Sequence, residues 1–138
     1  GDPIGSKALR GFRRQFEMSG YDMYFVVNTN RPFTQDTKGI INMLKSIENA
    51  SQLFVTGLIS NTHLGKDTKA ADITKGVKIC ADVSEELDIP LVFACMNQSI
   101  VKKDLDIQTT RTLELDLHML PPWDNNLDYK GGKSDYIR

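Results

Sequence analysis

Residues 53–59 have the sequence Leu-Phe-Val-Thr-Gly-Leu-Ile, and this stretch decides the fold class. A short, nearly continuous apolar run with β-branched and aromatic side chains is typical of a strand buried inside a parallel sheet. The polar residues Ser60, Asn61, Thr62 and His63 follow directly and end the strand. The sequence therefore predicts a buried strand that carries polar side chains to one edge of a sheet.

Two further apolar runs, residues 23–27 (MYFVV) and 91–95 (LVFAC), predict strands of the same kind. Between these runs, residues 35–49 and 70–87 repeat apolar side chains at helical intervals. Strands that alternate with such helices predict βαβ units, so we expect an α/β fold with a mostly parallel sheet and helices on both faces. The expected inward-facing positions are Ile40, Ile41, Leu44 and Ile47 in the first of these helices and Ile73, Val77, Cys80, Ala81 and Val83 or Leu87 in the second.

The two ends of this pattern are weaker. Residues 6–18 place Leu9, Phe12 and Phe16 at helical spacing between basic residues, which predicts an amphipathic helix with its aromatic side chains in the core. Residues 112–119 alternate leucine with polar residues, which is typical of a strand with one solvated face at a sheet edge.

Length, composition and charge limit the class of protein. The 138 residues fit one domain, and 40% of them are apolar, enough to build a core. We assign the domain to residues 1–123, because residues 124–138 have little apolar content and predict a flexible C-terminal tail. The 17 basic and 18 acidic residues leave a net charge of -1, which argues against direct binding of nucleic acid.

Cysteine usage and hydropathy favour the cytoplasm. Cys80 and Cys95 lie far apart and outside any CxxC motif, which indicates two core thiols of a reducing compartment, not a disulfide or a zinc site. No run approaches the roughly 20 apolar residues that a membrane helix needs, and no apolar signal segment follows the basic residues near the N-terminus. We therefore expect a cytoplasmic protein without a membrane span.

The loops at residues 28–34, 60–68 and 96–99 should gather at one edge and hold the functional residues, because parallel α/β sheets bind ligands beyond the carboxyl ends of their strands. The chain contains no GxxxxGK[ST], GxGxxG, GxSxG or HExxH motif. We therefore expect no catalytic residue, no metal ligand and no independent enzyme activity.

Two short motifs resemble a known family. Gly57-Leu-Ile-Ser-Asn61 ends one strand, and Ile89-Pro90-Leu-Val92 opens the next. This pair resembles the late βα segments of the P-loop ATPases of the MinD, ParA, cobyric acid synthase and dethiobiotin synthetase type, the SIMIBI class. In that family the Asn contacts the adenine base, and the loop after the Pro-led strand closes the same pocket. The resemblance thus implies that the base-binding residues are Asn61, Thr62, Pro90, Met96 and Asn97.

The start of the chain extends the resemblance. Residues 1–8 (GDPIGSKA) are similar to the segment just after the Walker B-like Asp-x-Gly-Gly of these ATPases. The preceding strand with its metal-side Asp and the phosphate-binding lysine loop are missing, so the resemblance covers the C-terminal half of the family's domain. It implies a nucleotide-binding fragment that binds ATP with Mg²⁺, and acts as an ATPase, only in a complete domain. A half-domain exposes a strand edge, which further predicts a homodimer.

Side-chain chemistry leaves alternatives open. The amide of Asn61 offers an acceptor and donors to the N6/N7 edge of adenine, but Asn also stabilises turns without any ligand. Arg31 would contact a phosphate or a partner's carboxylate through its guanidinium, although Pro32 beside it equally describes an ordinary turn. The alternative function is a non-catalytic, flavodoxin-like α/β interaction module whose loops bind a protein or a small effector.

Overall fold

The computed structural model describes residues 2–98, 100, 105, 107 and 111–116. The strands of these residues form one sheet and are β1 (Tyr24–Val27), β2 (Gly57–Ser60), β3 (Leu91–Asn97) and β4 (Thr112–Leu115). The helices are α1 (Pro3–Ser6), a 3₁₀-helix (Lys7–Phe12), α2 (Arg13–Ser19), α3 (Thr37–Ser51) and α4 (Ala70–Leu87).

All neighbouring strands are parallel, and their order β1-β2-β3-β4 follows the chain. The predicted α/β class with a parallel sheet and helices is confirmed. The expected helices on both faces are not found among the described residues, because the long helices α3 and α4 share one face. Tyr24 lies opposite Gly57 in the register between β1 and β2. A Cβ atom at Gly57 would lie 2.7 Å from Cγ2 of Val92, so a glycine is needed where the side chains of β1 and β3 close over β2.

The helices α3 and α4 both pack on one face of the sheet, which we call the covered face. Right-handed crossovers between strands in sequential order return every helix to the same side, which explains this arrangement. One core cluster joins the strand residues Phe25, Val27 and Leu58 to Ile40, Ile41, Leu44 and Ile47 of α3 and to Cys80 and Val83 of α4. A second cluster joins Ile73 and Val77 of α4 to Ala94 and Met96 of β3.

The predicted core positions are confirmed throughout α3 and in most of α4. Ala81 is the exception, because it is exposed. Cys80 and Val83 face the sheet, and the residue next to Cys80 is turned about 100° away from that direction. The buried positions of α4 also include Gly76, which periodicity does not indicate.

The opposite face of the sheet, which we call the open face, carries apolar side chains at its margins. Tyr24 and Val26 of β1 and Leu113 and Leu115 of β4 are exposed, while Ile59 between them is half-buried. The expectation that β1 is buried on both faces is wrong, since its residues alternate between exposed and buried. The reason is that β1 is an edge strand of the described sheet and that α3 and α4 both lie on the other side of it.

The N-terminal helices pack along α3 and not into the sheet. The α1 and 3₁₀-helices contact α3, and no residue of α1, the 3₁₀-helix or α2 is buried. The predicted amphipathic helix with core aromatics is therefore wrong in detail. Phe12 is 57% exposed, and Phe16 is half-buried with its ring centroid 6.1 Å from that of Tyr21. This segment lies on the flank of α3, where one side of it stays in solvent.

Several strand boundaries differ from the prediction. β2 begins only at Gly57, although Leu53 before it is already buried. β3 continues through Asn97, two residues beyond the predicted strand. β4 confirms a strand at the edge of the described sheet, but Leu113 and Leu115 are exposed, so the expectation of only one solvated face is wrong. Residues 117–119 and the tail at 124–138 lie outside the described residues. In the part of the chain that the structure describes, no helix has the length and apolarity needed to cross a membrane.

Candidate functional site

The loops after β1 and β2 are tied together at the carboxyl edge of the sheet, as the strand pattern predicts. Nδ2 of Asn28 donates to the carbonyl of His63 at 3.1 Å, and Oδ1 of Asn28 accepts from the N–H of His63 at 3.3 Å. The same Oδ1 accepts from the N–H of Asn30 at 2.9 Å. The N–H of Asn61 donates to the carbonyl of Val27 at 2.7 Å. These contacts fix the two loops relative to each other.

Thr62 forms the buried base of this edge. Its Oγ1 accepts from the N–H of Thr29 at 3.1 Å and lies 3.1 Å from the hydroxyl of Thr29. Both threonines are buried. Helix α4 crosses so close to this pair that a Cβ atom at Gly76 would collide with the side chain of Thr62. The hydroxyl of Thr62 therefore serves first to hold the loops together.

The loop between β2 and α4 is closed by its own hydrogen bonds. Oγ1 of Thr68 accepts from the N–H of Leu64 at 2.9 Å and donates to the carbonyl of Gly65 at 2.6 Å. Nδ1 of His63 accepts from the N–H of Gly65 at 3.2 Å. Gly65 has a φ of 64°, a left-handed conformation that favours glycine. The loop thus forms a pre-organised wall next to Asn61.

A cavity of about 140 Å³, which we call the edge cavity, lies where β2, β3 and β4 end. The side-chain amide of Asn61 is half-buried here and makes no hydrogen bond with any residue that the structure describes. The apolar lining consists of Ile73, Cys95, Met96 and Leu115, and the polar lining of Asn61, Thr62, His63, Gly65, Thr68, Asn97 and Asp116. The edge cavity therefore combines apolar walls with the amide of Asn61 in its lining.

Carboxylates occupy the N-terminal ends of both long helices beside these loops. Oδ1 of Asp36 accepts from the N–H of Gly39 at 2.7 Å at the start of α3, and Oδ2 of Asp72 accepts from the N–H of Lys69 at 2.9 Å at the start of α4. A helix N-terminus binds an anion through free N–H groups and a positive dipole, and each of these carboxylates occupies one N–H group and adds a negative charge there. The exposed Asp116 adds negative charge to the rim. The rim thus favours hydrogen-bond donors of a ligand over phosphate groups.

The two cysteines differ in their surroundings. Cys95 lines the edge cavity, and burial raises the pKa of its thiol. Cys80 is a residue of α4 and faces the core, where burial raises the pKa of its thiol to about 11, an effect that the nearby Ser60 hydroxyl partly opposes. Because the thiolate is the reactive form of cysteine, neither thiol is an activated nucleophile at neutral pH.

The structure brings together four of the six residues that the sequence analysis singled out. Asn61, Thr62, Met96 and Asn97 all line the edge cavity. Pro90 lies at the amino end of β3, where its carbonyl accepts from the N–H of Leu58 at 2.8 Å, and it does not line the cavity. The leading Pro marks where β3 begins, whereas ligands meet the strand where it ends.

Arg31 also lies apart from the edge cavity. It lines a separate hollow of about 220 Å³ with Asn28, Pro32, Thr34 and other residues. Its N–H donates to the carbonyl of Asn28 at 3.1 Å, which closes a turn directly after β1. The structure thus places Arg31 in the turn that Pro32 indicated and does not bring it to the predicted base-binding residues.

Leu115 and Asp116 line the edge cavity and were not predicted. They reach it because β4 pairs with β3 in a register that sets Asn97 opposite Leu115. The alternating pattern of residues 112–119 indicated a strand, but no local signal tells which neighbour that strand joins. Ile73 reaches the cavity through the packing of α4 against β3, which the sequence indicated only as a core position.

Among the described residues, no three side chains of His, Cys, Asp or Glu converge as a metal ion would require. Comparisons of the chain with family models, with curated proteins and with solved structures give no match. The resemblance to MinD- and ParA-type ATPases therefore rests on the short motifs alone.

Proposed function

We propose that the edge cavity binds the adenine base of a nucleotide and that Asn61 reads the base. The chain would then supply the adenine side of an ATP site of the MinD/ParA type. The observation that carries this proposal is the amide of Asn61, which stands at the rim of an apolar cavity without a hydrogen-bond partner among the described residues.

The size of the cavity favours a single ring system. Its volume is about 140 Å³, whereas pockets that enclose a whole drug-sized ligand measure about 300–1,000 Å³. An apolar cavity of about 150 Å³ is large enough to hold a benzene molecule. The edge cavity therefore suits the base or part of it, with the ribose and phosphates outside.

The lining offers contacts to both the faces and the edge of such a ring. Ile73, Met96 and Leu115 supply apolar surface for the flat faces. The amide of Asn61 can accept from N6–H and donate to N7 of adenine at the same time. The carboxylate of Asp116 is a further acceptor for the exocyclic amine.

The triphosphate and Mg²⁺ do not fit the described residues. Asp36 and Asp72 place a carboxylate at the N-terminal ends of α3 and α4, and Asp116 would repel a phosphate at the rim. We therefore assign no phosphate or metal contact to this part of the chain and no hydrolytic step. The proposal is limited to recognition of the base, which implies weak binding that the phosphates do not strengthen.

The test is a calorimetric titration of the full chain with ATP, ADP, adenosine and GTP. We expect ATP and adenosine to bind with similar Kd and GTP to bind more weakly, because the contacts lie on the base. Asn61→Ala removes a base contact worth about 1–3 kcal/mol and should raise the Kd for adenosine roughly 5- to 150-fold. Asn49→Ala is the matched control, since Asn49 is an exposed residue on α3 outside the cavity.

A second readout uses Cys95, which lines the cavity. Saturating adenosine should slow alkylation of Cys95 by iodoacetamide and leave the rate at Cys80 unchanged. Equal affinity of the wild-type chain and Asn61→Ala for adenosine would overturn the proposal. So would ligand-independent alkylation of Cys95, and GTP binding as tight as ATP binding would refute selection of adenine.

The alternative function, a non-catalytic interaction module, has one observation in its favour. The chain exposes apolar side chains on Tyr24 and Val26 at one margin of the open face and on Leu113 and Leu115 at the other. Exposed apolar surface rimmed by polar residues marks interaction sites in soluble proteins. Asn61→Ala would leave the function of such a module unchanged, which separates it from base binding.

A further inference from the structure

The outer edge of β1 has unpaired backbone groups in the described sheet, because β1 is the first strand and pairs only with β2. The carbonyl of Met23 accepts from the N–H of Thr56 at 2.9 Å, and that of Val27 accepts from the N–H of Asn61 at 2.7 Å. Alternate residues of a strand direct their N–H and C=O groups to opposite sides. Tyr24 and Val26 therefore present their backbone groups outward.

Nothing within β1 protects this edge. Natural edge strands usually carry a charge, a proline or a bulge that prevents pairing with another strand. β1 has the sequence Tyr-Phe-Val-Val and pairs with β2 in regular register. Hollows of about 350 Å³ and 220 Å³ lie along it, and Phe25 and Val26 line both of them. The larger hollow is also lined by Asp2, Gly5, Ser6 and Leu9, so the N-terminal segment borders the edge without pairing with β1. The edge thus offers backbone groups to an added strand that lies in the groove beside this segment.

Opposite charges flank the two ends of the edge. Asp22 precedes β1 and is held in place by its neighbours, since the N–H of Phe54 donates to the hydroxyl of Tyr21 at 3.0 Å and the N–H of Met23 donates to Oγ1 of Thr56 at 2.9 Å. Arg31 lies in the turn that closes directly after β1. Both charged residues are exposed, and neither forms an ion pair with a residue that the structure describes.

We propose that two copies of this chain pair antiparallel through β1 and form one continuous sheet across a twofold axis. In the register that sets Tyr24 opposite the partner's Val26, each pair exchanges both its N–H and its C=O hydrogen bonds. Phe25 then meets the partner's Phe25 on the covered face, within the hollows that it lines. Asp22 of each copy comes to the end of the partner's β1, beside the partner's Arg31.

Charge complementarity favours a second copy of this chain as the partner that binds the outer edge of β1. The same edge carries an acidic residue at its amino end and a basic residue at its carboxyl end, so an antiparallel copy pairs both charges twice. A parallel copy would set like charges side by side. The interface uses neither Asn61 nor the edge cavity, so its success or failure is independent of the proposed base binding.

The first test measures the mass of the full chain by sedimentation equilibrium across micromolar concentrations. We expect a monomer–dimer equilibrium that Val26→Lys shifts to monomer, because lysine on an edge strand opposes strand pairing. Leu113→Lys is the matched control, since Leu113 is 43% exposed and Val26 is 47% exposed on the same face. It should leave the dimer intact. A wild-type monomer at every concentration overturns the proposal, as does a dimer that Leu113→Lys dissociates and Val26→Lys does not.

The second test reverses the charges. Asp22→Arg alone and Arg31→Asp alone should each raise the Kd of the dimer at least about 10-fold, because each change replaces two attractive contacts by two repulsive ones. The double variant restores opposite charges and should return the Kd to within about 3-fold of the wild type. Lys78→Asp, an exposed charge reversal on α4, controls for net charge. A double variant no tighter than the single ones refutes the antiparallel register.

Discussion

The covered and open faces of the sheet are built from the same strands, yet their side chains differ in how far they are buried. On the covered face, Phe25, Val27 and Leu58 are buried under α3 and α4. At the alternate positions of the same strands, which face the other side, Tyr24 and Val26 on β1 are exposed and Ile59 on β2 is half-buried. The amino-acid types on the two faces are equally apolar, so composition does not explain the difference.

The order in which the chain connects the strands explains why one face is covered and the other is open. Strands that follow one another across the sheet without a reversal of order place all their crossover helices on one side. Doubly wound sheets reverse their order at one point and so gain helices on both sides, together with a deep crevice at the reversal. The described strands have no reversal, which is consistent with both the open face and the small volume of the edge cavity.

The largest expected effect separates the two faces directly. Leu58→Ala on the covered face should lower the free energy of unfolding by about 2–5 kcal/mol, because it leaves a void in a closed core. Val26→Ala on the open face should cost less than about 1 kcal/mol, because the side chain is already half in solvent. Urea denaturation at high dilution measures both. Equal losses would show that the open face is covered in solution.

A smaller effect is expected where α4 closes on the loop after β2. Gly76→Ala should cost about 1–3 kcal/mol, because the added methyl group collides with Thr62. Gly11→Ala is the control, since nothing lies within 4 Å of a Cβ at that position, and it should be neutral or stabilising. In a Thr62→Ala background the cost of Gly76→Ala should shrink. Additive effects in thermal or urea unfolding would contradict direct contact between α4 and this loop.

The smallest effect concerns the thiol of Cys80, a residue of α4 that faces the core. The pKa of Cys80 is raised from 9.0 to about 11, so between these values the unfolded chain has lost a proton that the folded chain retains. The free energy of unfolding therefore falls as the pH rises through this range, and this contribution is fully present below pH 9.

We expect the wild type to lose about 1 kcal/mol more than Cys80→Ala between pH 8 and pH 10, measured by urea denaturation at each pH. Tyrosines and lysines titrate in the same pH range in both proteins, so the difference between their free energies of unfolding reports on Cys80 alone. Parallel curves for the two proteins would mean that Cys80 is not held in a closed core. The same comparison of the wild type with Cys95→Ala tests the thiol on the open face. Because burial raises the pKa of Cys95 too, we expect its contribution to the free energy of unfolding to fall as the pH rises.

The edge of the sheet that carries the candidate site was predictable, because polar residues follow the apolar runs at Asn28, Ser60 and Asn97. Asn61, Thr62, Met96 and Asn97 do come together there. Leu115 and Asp116 complete the cavity only because β4 pairs beside β3. The role of Thr62 as a link between two loops was also hidden, since its partner Thr29 lies on another strand end. Long-range pairing leaves no trace in local patterns.

The sequence by itself determined the α/β class, the two long helices and the strand ends at which a ligand site would form, because these depend on periodicity and on short-range turn chemistry. The tertiary structure alone decided which face of the sheet is covered, why Gly57 and Gly76 are glycines, and that Pro90 and Arg31 stand away from the cavity. These features depend on strand order and on the direct approach of segments far apart in the chain, which no single stretch of residues encodes.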